Sequence, residues 1–285
     1  MVDLELVRRI ADAAEEADGA APLDEATWLA LLHRPETVRS WVRVDGFALL
    51  IGEDLSIVVD PSARGRGLGA GLAADAVPAA GPVEAWSHGD HPAAEVLAER
   101  HGLERTRELW VMRRPSSVPL PQLPVREGIT VRGYQPDDAE AVVRVNAAAF
   151  AAHPEQGAMD LANLRERMAE GWFDPAGLLV AVDSASGEVL GFHWTKQHSP
   201  ALGEVYVVGI SPAAQGRGLG KLLTLTGLHH LASKGVDEVL LYVESDNAPA
   251  IAVYGGLGFE HAANDTHVQY GRPNLCKRSD RVGSL

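Results

Sequence analysis

Two stretches of this sequence are near-copies of one another, and that repeat limits the possible folds more than any other feature. From Asp60 the chain reads DPSARGRGLGAGL, and from Ser211 it reads SPAAQGRGLGKLL, an offset of 211 − 60 = 151 residues. A second pair, DHPAAEVLAERHGLE from Asp90 and DNAPAIAVYGGLGFE from Asp246, is offset by 246 − 90 = 156. Two matches in one order at nearly one offset point to two copies of a whole fold, since solenoid periods are only about 20–50 residues. The length of 285 residues suits two domains. Between the copies runs Pro115–Pro124 (PSSVPLPQLP), uncharged and proline-rich. Proline fixes φ and withholds an N–H, so this stretch reads as an extended linker. The expected division is a first domain over 1–114, a linker over 115–127 and a second domain over 128–271. The polar, aperiodic residues 272–285 are expected to form a disordered tail.

The local pattern alternates strands and helices. Gly203–Ile210 (GEVYVVGI) is β-branched and aromatic, as a strand requires, and Ser211-Pro212 ends it. Leu219, Leu222, Leu223, Leu225 and Leu228 recur at helical spacing, which predicts a helix to about Ser233, with Gly235 as its stop. Val239–Val243 reads as a strand, and Ala248–Tyr254 as a helix capped by Asp246 or Asn247. Upstream, strands are predicted at Gly177–Asp183 and Val189–Lys196, and helices at Asp137–Phe150 and Leu161–Glu170. The first copy has the same plan, with helices near Leu4–Ala17 and Glu25–Leu32 and strands near Val38–Val44, Phe47–Gly52 and Leu55–Val59.

The glycine-rich turns, Arg64–Gly69 and Gln215–Gly220, each fall between a strand and a helix. Glycine permits close backbone approach, and a helix N-terminus presents unpaired N–H groups to an anion. Arg66 and Arg217 add positive charge, so a pyrophosphate is the natural occupant. A P-loop would need G-x-x-x-x-G-K-[ST], which neither turn contains, and the spacing differs from the dinucleotide G-x-G-x-x-G. Lys and Arg total 25 against 39 Asp and Glu, a net charge of −14. That balance excludes a general polyanion binder and argues against nucleic acid, while leaving room for one small phosphorylated ligand. The one cysteine, Cys276, cannot form an internal disulfide or a cysteine zinc cluster and fits a reducing cytoplasm. His229-His230 are adjacent and do not share a helix face, so no metal site is expected.

The pattern [R/Q]-x-x-G-x-G resembles the coenzyme A pyrophosphate loop of the GCN5-related N-acetyltransferases (GNATs). Asn247–Phe259 resembles the N-x-x-A-x-x-x-Y-x-x-x-G-F segment of the same family. The resemblance implies an α/β (α+β) fold of two tandem GNAT domains, each a mixed central sheet flanked by helices, with acetyl-CoA as co-substrate. Further segments narrow it: His153–Gly157, Trp172–Pro175, Gly191–Lys196, Gly203–Gly209 and Leu241–Asn247. They resemble the tandem members that acetylate the cysteinyl amine of a cysteinyl-glucosaminyl-inositol.

Carried onto matching positions, the resemblance implies that Glu204 deprotonates the amine and Tyr254 reprotonates the departing thiolate. Glu25, Glu155, Lys196, Glu204 and Tyr242 become substrate contacts. Coenzyme contacts in the second copy become Val208, Gly209, Ile210, Gln215, Gly216, Arg217, Gly218, Leu219, Gly220, Lys221, Asn247, Ala248, Pro249, Ala250, Ile251 and Ala252. In the first copy they become Ile57, Val58, Val59, Gly65, Arg66, Gly67, Leu68, Gly69 and Ala70. The offsets align Glu204 with Glu53 but Tyr254 with Ala98, so the first copy is expected to bind acetyl-CoA without turning it over. A monomeric cytoplasmic enzyme with a small thiol glycoside substrate, and with neither nucleic acid nor membrane as partner, is the expectation. Acetylation of another small amine (an aminoglycoside or a polyamine) and a non-catalytic acetyl-CoA sensor are the alternatives.

Overall fold

Several helices of this protein start where the sequence supplies a side-chain cap. In the computed structural model, which describes residues 2–151 and 154–272 except the side chains of Pro154 and Glu155, α1 (Leu4–Asp18) begins at Asp3, whose carboxylate accepts from Leu6 N at 3.1 Å. Asp24 does the same for α2 (Glu25–His33), accepting from Thr27 N at 2.8 Å. Each such cap satisfies an N–H that the helix leaves without a partner, worth about 1 kcal/mol. The described chain divides into two compact units, residues 2–110 with 262–272 and residues 111–261.

The first unit continues with β1 (Val38–Arg43), β2 (Gly46–Ile51), β3 (Asp54–Val59), α3 (Leu68–Ala80), β4 (Glu84–Ser87), α4 (Pro92–Arg100) and the first part of β5 (Glu104–Pro115). Its strand order is β1-β2-β3-β4, then the last strand of the chain, β11 (Glu260–Gly271), then β5. Phe47, Leu49 and Val58 pack on α1 through Val7 and Ile10, while Ala48, Leu50 and Leu55 pack with Leu72 of α3 on the opposite face. A sheet covered on both faces needs apolar residues at every position, which is why β2 reads as the unbroken run FALLI after its glycine. Each fully buried Leu, Val or Ile contributes roughly 1.5–3 kcal/mol.

The second unit holds β6 (Ile129–Gly133), α5 (Ala139–Ala149), α6 (Pro154–Gly157), α7 (Leu161–Met168), β7 (Leu178–Asp183), β8 (Val189–Gln197), β9 (Leu202–Ile210), α8 (Leu219–Ser233), β10 (Glu238–Glu244) and α9 (Ala248–Gly255). Strands β6 to β9 pair antiparallel in chain order, and β9 pairs parallel with β10. One face carries Phe192 and Trp194 against Val142, Val145 and Leu164 from α5 and α7. The other face lies under α8, where a Cβ on Gly227 would come within 2.0 Å of the His193 ring. His193 is fully buried there, and its Nδ1 lies 2.8 Å from Leu223 O. It is a core residue and not one that meets substrate.

The contact division departs from the boundaries read along the chain. It falls at Trp110/Val111, and residues 262–272 join the first unit because Val268–Gly271 pair antiparallel with Ser87–Glu84. The proline-rich stretch belongs to the second unit. Buried Arg114 donates to Leu257 O at 2.8 Å and Val118 O at 2.6 Å, Ser116 N donates to Asp237 O, and His229 Nε2 lies 2.9 Å from Pro121 O. The expected disordered tail beyond Arg272, with Cys276, lies outside the described residues.

Candidate active site

The sheets open where the glycine-rich turns begin. In the second unit the parallel ladder joins Leu202–Val205 to Glu238–Leu241 and ends there, while β9 runs on to Ile210. In the first unit the ladder covers only Asp54–Leu55 against Glu84–Ala85, while β3 runs on to Val59. Past each ladder's end the backbone of one strand, Val207–Ile210 or Ile57–Val59, is placed to pair with an extended ligand as though it were a neighbouring strand.

The turns follow directly. Gly216 and Gly218 have φ of 77° and 74°, and Gly65 and Gly67 have φ of 73° and 83°. These are left-handed conformations that cost an L-residue roughly 1–2 kcal/mol each. Around Gly65, Gly67 and Gly216 an added Cβ would meet nothing within 4 Å, so the turns are open on that side. Gly218 is the N-cap of α8 and supplies no side-chain cap, which leaves the first-turn N–H groups directed at the opening. Arg217 and Lys221 are exposed beside it, and the Arg126 guanidinium comes within 2.9 Å of where a Gly218 Cβ would sit. Left-handed glycines, a helix N-terminus and three cations fit the pyrophosphate of coenzyme A. Leu219, by contrast, is 2% exposed and packs into the core.

Three of the expected substrate residues, Lys196, Glu204 and Tyr242, lie on one face of the second unit's sheet. Lys196 is the register partner of Glu204, and paired residues project to the same side. Tyr206 follows Glu204 by two. Leu240 is paired with Glu204 across the parallel ladder, and Tyr242, two further along, continues that alternation. Tyr242 is 42% exposed between buried Leu241 and Val243, so it is not a core residue. Lys196 Nζ lies 4.6 Å from the Trp172 ring centre and 5.2 Å from that of Tyr206. This aromatic shelf, extended by Trp194 and by Arg167 donating to the Tyr206 hydroxyl, holds the ammonium in place through cation–π attraction. Glu204 is 5% exposed, with its Oε2 at 2.6 Å from Nε2 of His198.

Helix α9 supplies the rest. Asn247 is its N-cap, accepting from Ala250 N at 3.2 Å, so its side-chain oxygen shapes the helix start. Ala248–Ala252 form the first turns, and none of the helix's mostly apolar residues is fully buried. Tyr254 meets Phe259 edge-on at 6.0 Å, and burial pushes its hydroxyl pKa up, which keeps the proton on at neutral pH.

In the first unit a cavity of about 770 Å³ follows the parting of β3 from β4. Ile57, Val58, Val59, Gly65, Gly67, Leu68, Gly69 and Ala70 all line it, and Arg66 does not. His88 lines it too, 3.0 Å from His267 through their Nδ1 atoms, and burial lowers its pKa to about 4. Glu53, the sequence counterpart of Glu204, sits exposed just before β3 starts, so the first unit lacks a buried carboxylate at this position. Glu25 opens α2 in this unit. The side chain of Glu155 lies outside the described residues. Among the described residues, no group of three or more His, Cys, Asp or Glu is placed to hold a metal ion.

The Acetyltransferase (GNAT) family model matches residues 144–259. The solved structure of a tandem GNAT protein from the clavulanic acid biosynthesis pathway superposes with a TM-score of 0.70 at 22% identity, covering 94% of this chain and 95% of that one. A mycothiol acetyltransferase of Nocardia farcinica is 49% identical, with 91% of each chain covered. A mycothiol acetyltransferase of a Nocardioides species is 67% identical over 94% of this chain and 97% of its own. The chain belongs to the mycothiol acetyltransferase family.

Some residues of this family member's site escaped the sequence reading. His198 stands two residues past Lys196, so the alternation that puts Lys196 on the site face puts His198 there too. That signal is usable only once the β8–β9 register is known. Trp172 and Tyr206 lie within the segments Trp172–Pro175 and Gly203–Gly209 that resemble the family, but nothing in the sequence shows that their rings carry Lys196. Arg126 reaches the glycine turn from just beyond the proline-rich stretch, a contact that no local pattern encodes.

Proposed function

We propose that this protein transfers the acetyl group of acetyl-CoA to the cysteinyl amine of desacetylmycothiol, giving mycothiol and coenzyme A. The observation that carries the reading is the 67% identity over nearly the whole of both chains to a protein named mycothiol acetyltransferase. The site chemistry supports it. An α-amine has a pKa of about 7.7–8.0, so most of it is ammonium at neutral pH and cannot attack. Glu204, buried beside the substrate face, accepts that proton. The freed amine forms a C–N bond to the thioester carbonyl carbon, the carbonyl oxygen draws on N–H groups near Val208–Ile210, the C–S bond breaks, and the nitrogen's second proton leaves to solvent as the amide forms. Tyr254, whose hydroxyl burial keeps protonated, gives its proton to the leaving thiolate and recovers one from solvent. Lys196, Tyr242 and Glu155 offer polar partners for the sugar and inositol hydroxyls.

Catalysis belongs to the second unit under this reading. The first has the glycine turn and the cavity, but it has Ala98 at the tyrosine position and an exposed Glu53 in place of Glu204. It therefore holds acetyl-CoA without turnover. A monomeric cytoplasmic enzyme completes the proposal, consistent with the single cysteine of the sequence. The test is coenzyme A release by purified protein. Rapid release is expected with desacetylmycothiol and little with spermidine or kanamycin, and equilibrium binding should find two acetyl-CoA per chain. Release with every amine except desacetylmycothiol would overturn the substrate assignment.

A further inference from the structure

His198 is the polar neighbour of the buried carboxylate, and the β8–β9 turn is built to hold it there. His198 N donates to Leu202 O at 2.9 Å, and Ser199 Oγ accepts from Ala201 N at 3.2 Å and Leu202 N at 3.1 Å. The turn fixes the backbone just past β8, and the alternation along the strand then aims the imidazole at Glu204, 2.6 Å away. The two side chains differ in setting: that of Glu204 is 6% exposed and that of His198 is 35% exposed. The imidazole therefore stands between a desolvated carboxylate and water.

We propose that His198 is a positioning residue for Glu204, an inference that rests on Glu204 being the base. Its Nε2–H donor fixes the carboxylate's orientation toward the incoming amine. On the packed strands, Lys196 lies opposite Glu204 on β8, and Glu238 faces Leu202 from β10 and pairs with Arg113 at 2.8 Å. Lys196 is occupied by the Trp172 and Tyr206 rings, and Glu238 by Arg113.

Two variants test this in the full-length protein. His198→Gln keeps a donor at about the reach of Nε2; His198→Ala removes it. His198→Gln is expected within about 3-fold of wild-type kcat, and His198→Ala about 10- to 100-fold below it, with KM for acetyl-CoA unchanged in both. Recovery of kcat in the Gln variant at constant KM is the readout a merely structural role would not give, since that role would lower the melting curve and leave kcat of the folded protein alone. Wild-type kcat in His198→Ala, or a His198→Gln protein as slow as His198→Ala, would overturn the proposal. Glu204→Gln separates the two readings: if it transfers acetyl at the wild-type rate, the assignment of the base fails. If it is inactive while His198→Ala is normal, only the positioning role fails.

Discussion

Gly218→Glu tests whether the second glycine turn seats a phosphate, and its two costs can be separated. The first is backbone strain. Gly218 has φ of 74°, so any L-residue there costs roughly 1–2 kcal/mol of stability. For a protein of this size that lowers Tm by about 2–8 °C. Gly235 has φ of 79° and open space around it, so Gly235→Ala carries the same strain outside the site and should transfer acetyl normally. The second cost is charge. A carboxylate placed about 5 Å from a phosphate repels it by roughly 0.8 kcal/mol in bulk water and 3.3 kcal/mol at an effective dielectric of about 20. That corresponds to a rise of about 4- to 300-fold in KM for acetyl-CoA. The upper part of the range is expected, because the new side chain starts 2.9 Å from the Arg126 guanidinium and would draw that cation away from the ligand. The assay is steady-state transfer at saturating desacetylmycothiol with acetyl-CoA varied, alongside thermal melting. A Gly218→Glu protein that melts as Gly235→Ala does but keeps the wild-type KM would refute the reasoning, since strain would be present and electrostatic exclusion absent.

Tyr254→Phe removes a hydroxyl and keeps the ring against Phe259, so folding should survive while kcat falls by roughly 10²–10⁴-fold; unchanged kcat would make Tyr254 a packing residue. His193, fully buried, has its pKa lowered by burial from 6.5 to about 4. Between those values the unfolded chain takes up a proton that the folded one refuses, so stability is intact above about pH 6.5 and falls as pH drops towards about 4, by up to about 3 kcal/mol from this group. Urea unfolding across that range should show the slope and His193→Asn should reduce it; an identical slope in the variant would place the acid sensitivity elsewhere.

The duplicated plan was legible because its signals are local or repeated. Glycines at 216 and 218 are there for left-handed φ, the leucines of α8 recur every three or four residues, and the second copy restates the first. Strands β5 and β11 were not legible, because charged and polar residues break up ERTRELWVMRRP and EHAANDTHVQYG, and pairing with distant strands is what orders them. The sequence also placed Glu204, Lys196 and Tyr242 in strands beside the coenzyme turn, but propensity is silent on whether a strand residue points into a site or into a core. Register decided that: Lys196 pairs with Glu204 and faces the site, while His193 turns the other way under α8 into the space left by Gly227. Contacts between residues far apart in the chain, such as Arg126 at the glycine turn and the pairing of the last strand with β4, exist only after folding has closed the intervening loops. The sequence alone therefore determined two copies of one fold and the chemistry of its turns; tertiary structure decided which carboxylate is buried, which imidazole lies beside it, and which unit the final strand completes.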